Sequence, residues 1–400
     1  MRNLNQQKFD MLYFSGDWGP QYHRRALVLE LSKLKEVNRL FIIEPFGDFF
    51  HSLTRKPFRL KKAFSSFLKV NQIQSNLFTY TPLVFMHFLV AIRLPGLRQL
   101  NRLFFQLSMN RFKRMVNLLP NPYLWVTRPE FIDYIDFVSP RRVIYDCYDE
   151  WQIDIHGRYS GKMAKWEEEL IRQSYCVFTT ASTLQKKCLK INPSSYFIPN
   201  AADVELFTRA YTEKLAPPED LAGIPKPIIG YIGLFRNWLD FDLLRYLFEN
   251  QAQHSFVFIG NWASNVTEVV EEFKKYQNVY FLGAKTYGEL PYYLQHFDIA
   301  IIPNKINRFN QNVIPYKLFE YMAAGKKIVC TNTSHDILEL FSEVVAVASS
   351  KEEFHQKILD LLATENFDYE RVYRTGREQS WKNRVLEMRK HLFYNEQIER

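Results

Sequence analysis

Lys317 and Glu320 stand three residues apart in a segment, Ile314-Pro-Tyr-Lys-Leu-Phe-Glu-Tyr-Met-Ala-Ala-Gly325, that carries its own helix signals. Pro315 suits the first helical position, where a missing N–H costs nothing, and Gly325 suits a left-handed C-cap, which predicts a helix of about ten residues. A helix N-terminus gathers free N–H groups and the positive end of the dipole, so Lys317 adds a cation where an anion is already favoured. Glu320 falls on the same face, and a carboxylate can accept two hydrogen bonds from a diol. The pair suits a ligand carrying both a diphosphate and a ribose. The alternative is an i,i+3 ion pair on the surface.

Three other places offer related chemistry. Gly230-Tyr-Ile-Gly233-Leu-Phe-Arg236 puts a glycine at a strand end with a guanidinium three residues on, where backbone N–H groups and Arg236 could meet phosphate. An ordinary surface arginine is the alternative. Val143-Ile-Tyr-Asp-Cys-Tyr-Asp149 ends an apolar strand with Asp149, a position from which a carboxylate in a cleft can act as general base. Asp146 is a second candidate, and capping or loop hydrogen bonding is the alternative for both. Asp240-Phe-Asp242 has the spacing of an Mn²⁺ or Mg²⁺ site, but it opens a helix and reads better as an N-cap. No metal and no cofactor is expected.

The elements that must position these residues alternate. Residues 9–15 read as a strand, Gly16-Asp17-Trp18-Gly19 as a loop, 21–35 as a helix and 40–45 as a second strand. The basic segment then reads as helices, and 123–127, 142–145 and 176–181 as further strands. Residues 216–227 hold four prolines and no periodicity, the best boundary between two domains. Beyond it 228–232, 255–259, 279–282, 299–302 and 328–331 are short apolar strands separated by helical patterns, as a doubly wound sheet requires. A long charged helix is predicted over 369–394.

Taken in order, the 143–149 strand end, Ile198-Pro-Asn-Ala-Ala-Asp203 with Phe207, Ile229-Gly-Tyr-Ile-Gly-Leu234, Asp298-Ile-Ala-Ile-Ile-Pro-Asn304, the 314–332 stretch and Ser380-Trp381 resemble GT-B glycosyltransferases. The resemblance is closest to the group 1-like enzymes that build bacterial cell-surface polysaccharides, of the teichuronic acid and xanthan type. It spans most of residues 120–385. It implies an α/β GT-B fold, with two Rossmann-like doubly wound domains facing across a cleft. Residues 1–215 would bind the acceptor and face the membrane, 227–375 would bind a nucleotide sugar, and 376–400 would cross back to the first domain, anchored by Trp381. Donor contacts would come from Gly233, Arg236, Ala284, Asn312, Val313, Lys317 and Glu320, and acceptor contacts from Gly16, Asp17 and His23. Asp149 and Lys317 would be the catalytic pair, Asp149 by analogy with an inverting, membrane-associated glucuronosyltransferase type. Val313 departs from the commoner pattern, which has a second Glu seven residues before the helix glutamate, and so argues against a retaining mechanism of that kind.

Composition bounds the rest. Four hundred residues at 47% apolar can bury two cores, and four cysteines without Cys-x-x-Cys spacing suggest neither a zinc site nor a disulfide framework. A reducing, cytoplasmic setting is expected. The net charge of +9 is uneven: residues 49–129 hold 13 Lys and Arg and no acid, leaving −4 for the rest. Within it Arg55, Lys56, Arg59, Lys61, Lys62 and Lys69 alternate with Phe58, Leu60, Phe64, Phe67 and Leu68. That mixture suits an anionic membrane surface met by the 55–114 segment. A solvated helical face and an RNA-binding patch are the alternatives, and no nucleic acid partner is expected. The start of the chain lacks an apolar signal region, and the longest apolar run, 83–92, is broken by His87 and too short to span a bilayer. A location peripheral to the inner face of the cytoplasmic membrane follows, with a lipid-linked or glycan acceptor. Rival readings are a sugar-nucleotide epimerase of the same fold and a non-catalytic RNA-binding or scaffold protein on that frame.

Overall fold

Strands buried on both faces need helices over both faces, and such sheets are parallel. Every residue of the strands Tyr123–Val126, Arg142–Cys147, Ile228–Ile232 and Ile299–Ile302 is buried, and the chain folds accordingly. A computed structural model describes residues 8–15, 18, 22, 24–44, 47–48, 67–85, 95–153 and 158–393. In chain order its strands are β1 (Phe9–Phe14), β2 (Val37–Ile43), β3 (Gly47–Asp48), β4 (Asn71–Gln74), β5 (Leu77–Tyr80), β6 (Leu83–Val84), β7 (Tyr123–Val126), β8 (Arg142–Cys147), β9 (Cys176–Thr179) and β10 (Ser195–Phe197). The second set is β11 (Ile228–Ile232), β12 (Ser255–Ile259), β13 (Val279–Gly283), β14 (Ile299–Ile302), β15 (Ile328–Thr331) and β16 (Ala346–Ala348).

Two open sheets result, in the orders β10-β9-β8-β7-β1-β2-β5-β4 and β13-β12-β11-β14-β15-β16, with β3 and β6 as a separate small pair. All pairings are parallel except β4 with β5 at an edge. The second sheet reverses direction of winding between β11 and β14, and ligands of such sheets bind in the crevice beyond the strand ends at that switch point.

Four expectations change. Part of the basic segment read as helical forms β4, β5 and β6: β5, with Leu77, Thr79 and Tyr80 buried, pairs parallel with β2 and leaves β4 at the edge; among the described residues the long helix there is Pro95–Val116. The first helix is Arg25–Ser32, shorter than 21–35. The predicted terminal helix is two, Tyr369–Glu378 and Trp381–Phe393, broken where Ser380 turns its hydroxyl to cap the Asn383 N–H at 3.1 Å. The domain boundary falls earlier than 216–227. Phe207, Ala210 and Leu221 already pack into the second domain's core with Leu318 and Phe319, so the crossover lies near the 198–203 motif.

Trp381, Val385, Met388 and Leu392 pack against Leu27, Leu31 and Trp125 of the first domain. The preceding helix, Tyr369–Glu378, lies on helix Tyr316–Ala323 of the second domain. Gly376 permits that approach: a Cβ there would sit 2.2 Å from the Ala323 nitrogen and 2.3 Å from the Met322 carbonyl carbon. Gly376→Ala gains helix propensity but forces two backbones apart. We expect it to lower stability by about 1–3 kcal/mol, read as an earlier urea midpoint; a later midpoint would show that the helices can separate freely.

Candidate functional site

The donor-type helix is Tyr316–Ala323, eight residues rather than ten, with Pro315 at the N-cap (φ −63°, ψ 135°) instead of the first helical position. The ring fixes φ as expected, but extended ψ at Pro315 starts the helix one residue later. Gly325 ends it at φ +60°. Lys317 lies in the first turn with its Nζ 5.1 Å from the centre of the Tyr231 ring. Gly233, just past β11, adopts φ +146°, and a Cβ there would come within 3.0 Å of Lys317 Cε and 3.1 Å of Nζ. The bare glycine therefore lets the Lys317 ammonium come close to the backbone just past β11, at the switch point.

The surface ion pair that could have explained Lys317 and Glu320 does not form. Glu320 is half-buried and its Oε1 accepts a hydrogen bond from the Tyr287 hydroxyl at 3.0 Å. Burial raises the Glu320 carboxyl pKa, and Lys317 and Tyr287 only partly offset it. Among the described residues Lys317 has no carboxylate within salt-bridge reach. Arg236 has none either; its guanidinium lies 5.4 Å from the Trp238 ring centre, and its Nε is buried without a partner. Ala284 is exposed immediately after β13. Asp240 caps helix Phe241–Asn250, accepting from the N–H groups of Asp242 and Leu243 at 3.1 and 3.0 Å, while Asp242 pairs with Arg245 at 2.8 Å.

The first domain presents the opposing strand ends. Asp146 is buried and committed: it pairs with Arg24 at 2.9 Å and accepts from Trp125 Nε1 at 3.3 Å. Asp149, one turn of chain later, is half-buried; its Oδ1 accepts the Glu150 N–H at 2.9 Å. Burial pushes its carboxyl up to about 6, with the Glu150 charge adding to the rise. A carboxylate near neutrality is matched to general-base work. Glu150 and Glu167 share the Lys187 ammonium, at 3.0 Å each, and Glu167 also accepts from Tyr145 and Gln152. That buried network holds the turn carrying Asp149.

Asn312 reaches across the cleft, with its Nδ2 3.5 Å from Glu150 Oε2, and Val313 follows it half-buried. The Ser182 N–H donates to Asp336 at 2.9 Å, a second direct link between the domains. So Lys317 meets Gly233 on one side, with Glu320 one turn along the same helix and Arg236 three residues past the glycine, and Asn312 brings the donor loop to the Asp149 turn on the other. Gly16, Asp17 and His23 lie outside the described residues. Sequence reading missed Tyr287 and the Glu150–Lys187–Glu167 network. Glu150 adjoins Asp149, but nothing in its neighbours signals a lysine 37 positions on.

Comparison with known proteins bears on this geometry. The structure is similar along its whole length to a sucrose-phosphate synthase from Thermosynechococcus elongatus, with a TM-score of 0.69, 13% identity, and 98% of this chain and 100% of that one covered. It is also similar to Anabaena HepE in complex with UDP and glucose, with a TM-score of 0.65, 12% identity, and 95% and 99% covered. The fold is GT-B. The family described as "Glycosyl transferases group 1" matches residues 226–364, the GT-B half that carries Lys317 and Glu320. In sequence, TuaH of Bacillus subtilis (strain 168), provisionally named a teichuronic acid biosynthesis glycosyltransferase, is 32% identical over 221 residues. That alignment covers 52% of this chain and 55% of TuaH, so the chain matches about half of that relative's length. The resemblance read from the motifs stands.

Asp149 generates a stability test. Its folded-state pKa of about 6 lies above the ordinary 3.8, so the stability tied to the neutral form is complete below about pH 4 and lost as pH rises through 6. Asp149→Asn keeps an acceptor for the Glu150 N–H and removes the charge. It should exceed the parent in stability by on the order of 1–2 kcal/mol at pH 8, shrinking to nothing near pH 4 in urea titrations. A difference independent of pH would mean the carboxylate is not strained by its site.

Proposed function

We propose that this protein is a glycosyltransferase of cell-surface polysaccharide biosynthesis that moves a sugar from a UDP- or GDP-sugar to a lipid-linked or glycan acceptor. One observation carries the reading: an ammonium, Lys317, without a carboxylate partner among the described residues, set against a bare strand-end glycine at the switch point, with Glu320 one turn along. Similarity to the group 1 glycosyl transferase family and to TuaH supports it.

In this reading the diphosphate lies at the N-terminus of helix Tyr316–Ala323 against Lys317 and the Gly233 backbone, with Arg236 beside it. Glu320 takes the ribose diol. Asn312 and Val313 line the sugar, and the Ala284 loop borders the base. Asp149 accepts the proton of an acceptor hydroxyl as that oxygen bonds to the anomeric carbon, while the bond from that carbon to the diphosphate oxygen breaks and the nucleotide diphosphate leaves with the electron pair. Attack from the face opposite the leaving group inverts the anomeric configuration. Lys317 and the helix dipole neutralise the departing charge, so the step calls for no metal.

The same reading puts the first domain against an anionic membrane. Helix Pro95–Val116 turns Leu103, Leu107 and Met115 outward with Arg114. Its other cations are partly spent within the fold, since Arg98 pairs with Asp133 and Lys113 donates to the Phe137 carbonyl at 2.7 Å. Arg55, Lys56, Arg59, Lys61 and Lys62 lie outside the described residues. Among the described residues no helix is long and apolar enough to cross a membrane.

Two experiments follow. In thermal-shift assays without added metal, one class among UDP-, GDP-, ADP- and CMP-sugars should stabilise the protein, by about 2.7 kcal/mol at a hundredfold excess over Kd. Lys317→Met and Glu320→Ala should each remove most of that shift; unchanged shifts would refute the site, and interconversion of donor sugars without acceptor would favour an epimerase. In flotation assays the protein should rise with anionic but not neutral liposomes, and a Leu103→Ser/Leu107→Ser variant should float several-fold less. Equal flotation with both lipids would contradict the membrane face, and salt-sensitive RNA binding in its place would favour the scaffold reading.

A further inference from the structure

Tyr287 has no role in the chemistry described so far, yet it is the one residue whose side chain bonds to Glu320 among the described residues. Its hydroxyl donates to Glu320 Oε1 at 3.0 Å, and Oε2 has no partner among the described residues. Two contacts fix its ring and backbone. Tyr287 opens the short turn Tyr287–Glu289, clamped by a capping box in which the Thr286 N–H donates to Glu289 at 2.7 Å. Its ring meets Phe207 edge-on, with centroids 5.4 Å apart. Phe207 is wholly buried in the second domain's core. The turn itself begins just beyond Ala284, at the end of β13.

A half-buried carboxylate with one oxygen held and the other open is a fixed acceptor of defined direction. Free to rotate, the same group would accept from one hydroxyl or two with little difference. Burial also works against the ionised form of Glu320, and the Tyr287 hydroxyl is among the few groups that favour it. We propose that Tyr287 is a positioning residue that makes this site selective for ribonucleotides over 2′-deoxyribonucleotides, by fixing Glu320 to accept from both ribose hydroxyls. The inference rests on the nucleotide-sugar reading of the site. It adds to that reading the residue that enforces a ribose over a deoxyribose.

Calorimetric titration of the full chain with UDP, GDP and ADP, each beside its 2′-deoxy counterpart, tests it. The parent should bind one ribonucleotide about tenfold more tightly than its deoxy form, the worth of one hydrogen bond to a charged acceptor. Tyr287→Phe keeps the ring on Phe207 and should reduce that ratio to below about threefold, with deoxynucleotide affinity nearly unchanged. Four results would overturn the inference. An undiminished ratio in Tyr287→Phe, or an equal loss for both nucleotides, would reject Tyr287 as the selective element while leaving the donor site intact. Failure of the parent to bind any of the nucleotides would reject the donor site and the inference together. Glu320→Gln, which keeps shape and loses charge, should also lower the ratio, and a ratio it leaves unchanged would equally count against the proposal.

Discussion

The geometry of the cleft depends on one buried cation. Arg24 is fully inaccessible, pairs with Asp146 at 2.9 Å, and lies 4.8 Å from the ring centre of Tyr148 and 5.3 Å from that of Trp381. It also feels the Tyr316 hydroxyl at the start of the donor-type helix. A charge taken out of water costs several kcal/mol unless a partner compensates it, so this cluster tolerates little displacement. It gathers the lead into the first helix, the end of β8, the first turn of helix Tyr316–Ala323 and the start of the last helix. Movement of either domain relative to the other must disturb it.

That constraint explains why two aspartates three positions apart have different fates. Asp146 is spent on Arg24 and Trp125, and its strand end becomes part of the junction. Asp149 sits beyond it on a turn fixed from below by Lys187, with no cation pairing its carboxylate among the described residues. The second domain repeats the arrangement with charges reversed: Lys317, in the first turn of its helix, and Arg236, past the end of β11, have no carboxylate partner among the described residues, while Arg245, Lys226 and Lys285 of that domain are paired. Unpaired charge facing a cleft, with paired charge around it, is what a site poised for a charged ligand requires. The fold leaves its electrostatic strain where a diphosphate and an acceptor hydroxyl would relieve it.

Much of this was legible in local sequence, because it is encoded locally. Apolar runs bounded by turn residues gave most strand positions to within three residues, although the short β10 and β16 were not read as strands, and Pro315, Gly325 and the apolar 328–331 run marked the donor-type helix and the strand after it. Where local signals compete, reading failed. Residues 71–84 carry no acid and many apolar side chains, which suits helix or strand equally, and edge pairing onto β2 decided for strand. The 369–394 helix broke at Ser380, whose hydroxyl competes for the backbone. The long-range partners were out of reach: Arg24 meets Asp146 from 122 positions away, and Tyr287 meets Glu320 from 33. The basic segment was read correctly as charge but not as structure, since part of that charge is met by Asp133 and by the Phe137 carbonyl.

The central claim is that Lys317, Gly233 and Glu320 form one nucleotide site. A crystal structure of the protein soaked with the nucleoside diphosphate that stabilises it would test this most directly. The diphosphate oxygens should lie within hydrogen-bond reach of Lys317 Nζ and of the backbone N–H groups at the start of helix Tyr316–Ala323, with the ribose hydroxyls on Glu320. A nucleotide bound elsewhere, or one whose diphosphate lies away from Lys317 with the ribose in solvent, would contradict it.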